Sequence, residues 1–282
     1  MKRIATGAVG ILVMIPICFF SHTVVWSLAL TFFSVVAVHE MLSCIGAKGE
    51  TPFAVPAYLF ATMPLVAWLL TVRFPVTSSY KLMFIYLAVF LLWEMMAGVI
   101  GGNRYPTEKL YSLVALVAYV VVALTAICLI RFINDGASEG AYIYLLIFLG
   151  AWISDTFAYF TGRLLGKHKL CPAISPKKTV EGSVGGVVFN MLAFAGYALI
   201  LRHFFDVNAN VLFFAILGAL FSAIGQFGDL FASCIKRHYG VKDYGKLFPG
   251  HGGVLDRFDS TLAIALVMLV VYSAFGAGFL IR

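Results

Sequence analysis

The stretch from Ser233 to Asp259 gathers the side chains best suited to chemistry. It carries Ser233, Lys236 and Arg237, then Lys242, Asp243 and Lys246, then the run Pro249-Gly250-His251-Gly252-Gly253, and it closes on Asp256, Arg257 and Asp259. Glycines let backbone N–H groups approach phosphate oxygens closely. Lysine and arginine supply positive charge, and aspartate can hold a magnesium ion that bridges phosphates. Together these parts describe a site for a nucleoside triphosphate. Gly240 to Lys246 has the spacing of a P-loop, but Leu247 stands where the magnesium-binding Ser or Thr belongs and no strand-to-helix context surrounds it, so that motif is set aside.

A second polar region begins at Asp155, passes through Gly162, Arg163, Gly166, Lys167, His168 and Lys169, and ends in Ser175-Pro176-Lys177-Lys178-Thr179-Val180-Glu181-Gly182. The mixed polarity of that last run suits hydrogen bonding and phosphate binding. Lys167 and Lys169 fit equally well a solvated loop touching anionic headgroups. Asp155, Asp229 and Asp259 each fall near the end of an apolar run. A carboxylate there is expensive and usually faces a polar cavity, and one site could hold all three. Gly218, Ser222, Gly225 and Asp229 recur at helical spacing, either as a packing seam or as a face leading to that site. Asp256 and Asp259, three apart at a helix start, point to one side. Capping and dipole complementarity explain one such acid well and two poorly. Glu40 and Glu94 also lie within spans, where pairing with a neighbour such as His39 or with a lipid headgroup is the simpler explanation.

The elements that must position these residues are membrane helices. Of 282 residues, 62% are hydrophobic and only 12% are charged, more apolar material than a water-soluble core needs. Stretches long enough to cross about 30 Å of hydrocarbon are expected at 4–20, 23–43, 54–72, 80–101, 110–131, 141–162, 184–201, 211–231 and 259–281. The opening Met1-Lys2-Arg3 and the apolar run after it mimic a signal peptide, but without a small-x-small cleavage site the run reads as the first of about nine transmembrane helices. With the N-terminus cytoplasmic, 15 of the 20 Lys and Arg fall on the cytoplasmic side, as the positive-inside rule requires. The same placement explains the net charge of +7 without nucleic acid as a partner. The fold expected is all-α and polytopic, a single membrane domain over 1–282. In it 1–140 is mainly scaffold, and 141–282 is a catalytic half with cytoplasmic loops at 163–183 and 232–258. The five cysteines form no CxxC pair or Cys/His cluster, which leaves neither a zinc site nor a disulfide framework.

The Ser233–Asp259 pattern resembles the signature of the CDP-diacylglycerol synthases, the phosphatidate cytidylyltransferases. Asp155 to Gly162, Ser175 to Gly182 and Gly228-Asp229-Leu230 are similar to that family too, and the likeness is close from about 150 to 282. The resemblance implies transfer of CMP from CTP to phosphatidic acid at an integral cell membrane, with the active site facing the cytoplasm, and release of pyrophosphate. It implies Mg2+ as cofactor and, in some members, a monovalent cation such as K+. By position, Asp229 and Asp256 would be metal ligands, Asp259 a ligand or its support, and Asp155 an added ligand or a partner to a lysine. Ser233, Lys236, Arg237, Lys242, Gly252, Gly253 and Arg257 would line the substrate pocket. Ser175, Lys177, Lys178, Thr179 and Glu181 would close it from the other loop. His251 either donates to the departing pyrophosphate or orders the glycine-rich turn. CTP, phosphatidic acid and membrane lipids are the expected partners, and a homodimer stays open. A CTP-dependent lipid kinase is the nearest alternative. A secondary transporter is the more distant one, disfavoured by the absence of inverted repeats in the sequence.

Overall fold

The structure, a computed structural model, describes residues 15–74, 76–102, 105–132 and 139–276. Its contacts cluster in two compact units, Met1–Asp135 with His238–Arg257, and Gly136–Arg237 with Phe258–Arg282. The signature segment 238–257 belongs with the first unit.

In the first unit, α1 (Val24–Ile45) begins at Thr23, whose hydroxyl accepts the Val25 N–H at 3.2 Å. It ends at Gly46, whose φ of 73° is the left-handed turn that lets Ala47 N–H reach back to Leu42 O. The expected 54–72 helix is two pieces, α2 (Thr51–Phe60) and α3 (Met63–Arg73), forming one span. The break has a local cause: Pro64 brings no N–H to the ladder, while Thr62 Oγ1 and the Tyr86 hydroxyl both donate to Leu59 O. Then come α4 (Val76–Gly101) and α5 (Thr107–Phe132). α5 packs against α1 and α3 and buries Leu113, Leu124, Ile127 and Ile130 completely, while Phe60 of α2 stacks on Phe90 of α4 at 4.3 Å. Lys109 at the start of α5 donates to Gly46 O and pairs with Glu50, tying three helix ends together.

In the second unit, α6 (Glu139–Leu165) leads into a hairpin of β1 (Lys169–Cys171) and β2 (Ser175–Thr179), which pair antiparallel and feed directly into α7 (Val180–Phe204). Then follow α8 (Val211–His238) and α9 (Leu255–Phe275), whose first turn is shared with the first unit. Phe194 and Phe221 meet edge to face at the centre, with Gly150 beside them.

Among the described residues, eight spans are long and apolar enough to cross a membrane. The chain is a multi-pass helical membrane protein. The expected first span, 4–20, lies outside the described residues up to position 14; residues 15–19 are helical and a turn follows at 20–22. Two expected loop boundaries are corrected. The segment expected as loop from 232 is helical to His238, because Ala232, Ile235 and Lys236 turn a buried face inward beyond the apolar run. The segment expected as loop from 163 to 183 is a helix end, a hairpin and a helix start, with Thr179 as the cap of α7.

Candidate active site

In the second unit the acids sit on three helices. Asp229, on α8, accepts an ion pair from Lys178 of β2, with Nζ 2.5 Å from Oδ2, and Ser233 Oγ lies one turn along at 3.5 Å from Oδ1. Asp259, on α9, lies within electrostatic reach of Asp229, Asp155 and the buried Lys236. Ser260 donates its N–H to Asp259 Oδ1 and its hydroxyl faces Asp155 Oδ2 at 3.4 Å. Asp155, Asp229 and Lys236 thus all act electrostatically on Asp259 within this unit, while Lys178 pairs with Asp229. No three His, Cys, Asp or Glu side chains among the described residues converge as a ready ligand set. Magnesium asks for less than that: one or two carboxylates, with substrate phosphates and water completing the octahedron. The donor chemistry here fits it.

The hairpin is held from behind. Glu181 accepts the backbone N–H groups of Lys167 and His168 and meets His168 Nδ1 at 2.6 Å. Thr179 Oγ1 accepts the Gly182 N–H at 3.2 Å. A Cβ on Gly182 would lie 2.6 Å from Ala158 O, so glycine is what lets α7 lie against α6 here. Glu181 and Thr179, expected at the substrate, therefore shape the hairpin that delivers Lys178, while Ser175 is half-buried and Lys177 exposed. The small-residue stripe on α8 splits between neighbours. Gly218 abuts Asn190 and Phe194 of α7, whereas Gly225 and Gly228 abut Ile264 and Ala263 of α9. Ser222 bonds Ser154 of α6 at 2.7 Å.

In the first unit, Lys242 to Arg257 encloses a cleft of about 660 Å³, within the range of small-molecule sites, lined by Lys242, Asp243, Lys246, His251, Gly252 and Arg257 among others. The turn is closed by its backbone: Phe248 N–H donates to Gly252 O and His251 N–H to Phe248 O, with Gly250 at φ 78° and Gly252 at φ 84°. His251 Nδ1 is buried and has no hydrogen-bond partner among the described residues. Asp256 is buried, and its Oδ2 accepts two backbone N–H groups, from Tyr244 at 2.8 Å and Gly253 at 2.9 Å. A Cβ on Gly252 would come within 2.6 Å of that oxygen. Arg237 is exposed near the end of α8 in the second unit.

The sequence pattern of the cytidylyltransferase family matches residues 1–275. The chain belongs to that family. Among curated relatives, the phosphatidate cytidylyltransferase of Staphylococcus haemolyticus is 32% identical over 262 residues, 93% of this chain and 95% of that protein. Those of Staphylococcus saprophyticus and Staphylococcus epidermidis are 41% and 40% identical over 166 residues. These two alignments span 59% of this chain and 60% of each relative's length, less than two thirds of either relative.

Two contacts of this chain could not be read from residue patterns. Gln226 lies three residues before Asp229 on α8; its Nε2 donates to Ser222 Oγ and to Ser183 O, and Ser183 Oγ donates back to its Oε1. With Ser154 this forms a polar lock joining α6, α7 and α8 beneath the acids. The other is Glu40, whose carboxylate engages the signature loop. A polar residue inside an apolar run was the available signal for both, but it names no partner.

Proposed function

We propose that this chain transfers a cytidylyl group from CTP to phosphatidic acid, giving CDP-diacylglycerol and pyrophosphate on the cytoplasmic face of a membrane. The observation that carries the reading is the alignment along 95% of a phosphatidate cytidylyltransferase, and the basic cleft beside a glycine-rich turn supports it.

The chemistry follows from charge. A phosphate oxygen of phosphatidic acid attacks the α-phosphorus of CTP; that O–P bond forms, the bond to the bridging oxygen of the β-phosphate breaks, and pyrophosphate leaves. The second ionisation of a phosphomonoester lies near pH ~6, so the nucleophile is already anionic and needs no strong base. The obstacle is repulsion between two anions, which Lys178, Lys236, Lys242, Lys246 and Arg257 would lower. Magnesium, when bound, supplies charge neutralisation at phosphate oxygens, and Asp229 and Asp259 would hold it with Asp155 in support. A ligand role for Asp256 would have to come through Oδ1, since Oδ2 is committed to the loop backbone. K+ is proposed only as a stimulating second cation.

The test is purified protein with α-labelled CTP, phosphatidic acid and magnesium, with and without K+. A labelled lipid and pyrophosphate in equal amounts are expected. No labelled lipid overturns the reading; in a parallel arm with a lipid alcohol in place of phosphatidic acid, CDP with a new phosphomonoester assigns the lipid kinase instead.

A further inference from the structure

Glu40 lies on α1, 214 residues before Val254 of the signature loop, and is 4% exposed. A carboxylate in such a place is costly unless its oxygens are satisfied. Both are: Oε1 accepts the Val254 N–H and Oε2 the Leu255 N–H, each at 2.9 Å. These are backbone donors at the start of α9, which lack partners within their own helix and favour a negative charge. Gly253 N–H goes to Asp256. Three consecutive amides, 253 to 255, are thus held by two buried carboxylates from opposite ends of the sequence.

The glycines show that the grip is built for Glu40. A Cβ on Gly245 or on Gly253 would overlap its carboxylate, and neither residue has the positive φ that would require glycine for conformational reasons. Their small size is needed for approach. The gripped strip follows His251 and Gly252 and precedes Arg257, so it forms the base on which the cleft's cationic wall stands.

We propose that Glu40 is a positioning residue for this cleft: its bidentate hold on Val254 and Leu255 sets the geometry in which Lys242, Lys246 and Arg257 meet the triphosphate. The hold is a matter of geometry alone; its kinetic consequence rests on the proposed cytidylyl transfer.

Glu40→Gln separates this role from mere packing, because glutamine has the same shape but turns an N–H donor toward a backbone donor. We expect KM for CTP to rise about tenfold, the scale of one lost charge-assisted bond, with kcat and the KM for phosphatidic acid changed less than about threefold. Glu40→Asp should recover part of the loss. Amide hydrogen exchange on the wild-type chain, free of any folding problem in a variant, should show Val254 and Leu255 protected; Glu40→Gln should release at least one of them, since its remaining amide oxygen still accepts one N–H. Wild-type amides exchanging at open-loop rates, or a Gln variant with wild-type exchange and CTP dependence, overturns the proposal. If the wild-type chain makes no labelled lipid, the transfer reading fails and the exchange measurement alone decides the grip.

Discussion

Lys178 Nζ sits 2.5 Å from Asp229 Oδ2, on side chains each about a quarter exposed (25% and 26%), so the hairpin places its cation where a metal-binding carboxylate is expected. Two outcomes are distinguishable. If the ammonium competes with magnesium, Lys178→Ala lowers the magnesium concentration for half-maximal activity; if it aids phosphate binding, that concentration stays put and KM for CTP rises. The proposed mechanism requires the second, with a loss in kcat/KM on the order of 10–100-fold for one charge-assisted contact. A magnesium titration at fixed CTP reads the difference.

Asp229→Asn and Asp256→Asn are expected to fail in different ways. The first removes a charge from the acidic cluster of the second unit and should abolish magnesium-dependent transfer in a folded protein. The second puts an amide donor or a weaker acceptor against the Tyr244 and Gly253 N–H groups, so it should also speed hydrogen exchange across 242–254. Near-normal turnover in either purified variant removes that residue from the site.

Gly240 and Gly252 both adopt positive φ, 68° and 84°, but only Gly252 is crowded. Gly240→Ala meets open space and should cost about 1–2 kcal/mol, the strain of a left-handed residue with a Cβ. Gly252→Ala must also displace Asp256 and should lose more stability and most activity. Thermal unfolding of the two variants in one detergent checks the order; equal losses would show that Asp256 yields freely.

What was legible in the sequence divides along physical lines. The acids Asp155, Asp229 and Asp259 could be read as one cluster because each marks the end of an apolar run, and spans of like length bring such ends to one level. The reach of α8 to His238 was not legible, since Lys236 and Arg237 look like loop residues until Ile235 and Ala232 are seen to be buried. The hairpin was hidden because its strands have three and five residues, too few for alternation to show. Glu40 could be flagged but not placed, because its partners are backbone amides, which leave no mark on side-chain patterns.

The Gln226 lock predicts a coupling between packing and turnover. Gln226→Leu removes the donors to Ser222 and Ser183 but leaves the Ser154–Ser222 bond, so the expected destabilisation is about 1–2 kcal/mol, the sum of a few membrane-buried hydrogen bonds. Asp229 lies three residues on, so kcat should fall while KM for CTP holds. Unchanged kcat in a destabilised variant would confine the lock to packing.

His251 offers the sharpest test of which groups touch substrate. The turn around it is closed by backbone bonds, Phe248 N–H to Gly252 O and His251 N–H to Phe248 O, so the imidazole is not needed to shape it. Its Nδ1 is buried at the cleft without a hydrogen-bond partner among the described residues, an arrangement that costs free energy unless a ligand completes it. His251→Ala should therefore leave unfolding temperature nearly unchanged and lower kcat by about 10²-fold, the lower range for loss of a positioned proton donor. The loss should shrink for a CTP analogue whose leaving group is less basic than pyrophosphate, because such a group needs less protonation as it departs. A variant that loses stability and keeps its kcat would return His251 to a purely structural place in the turn.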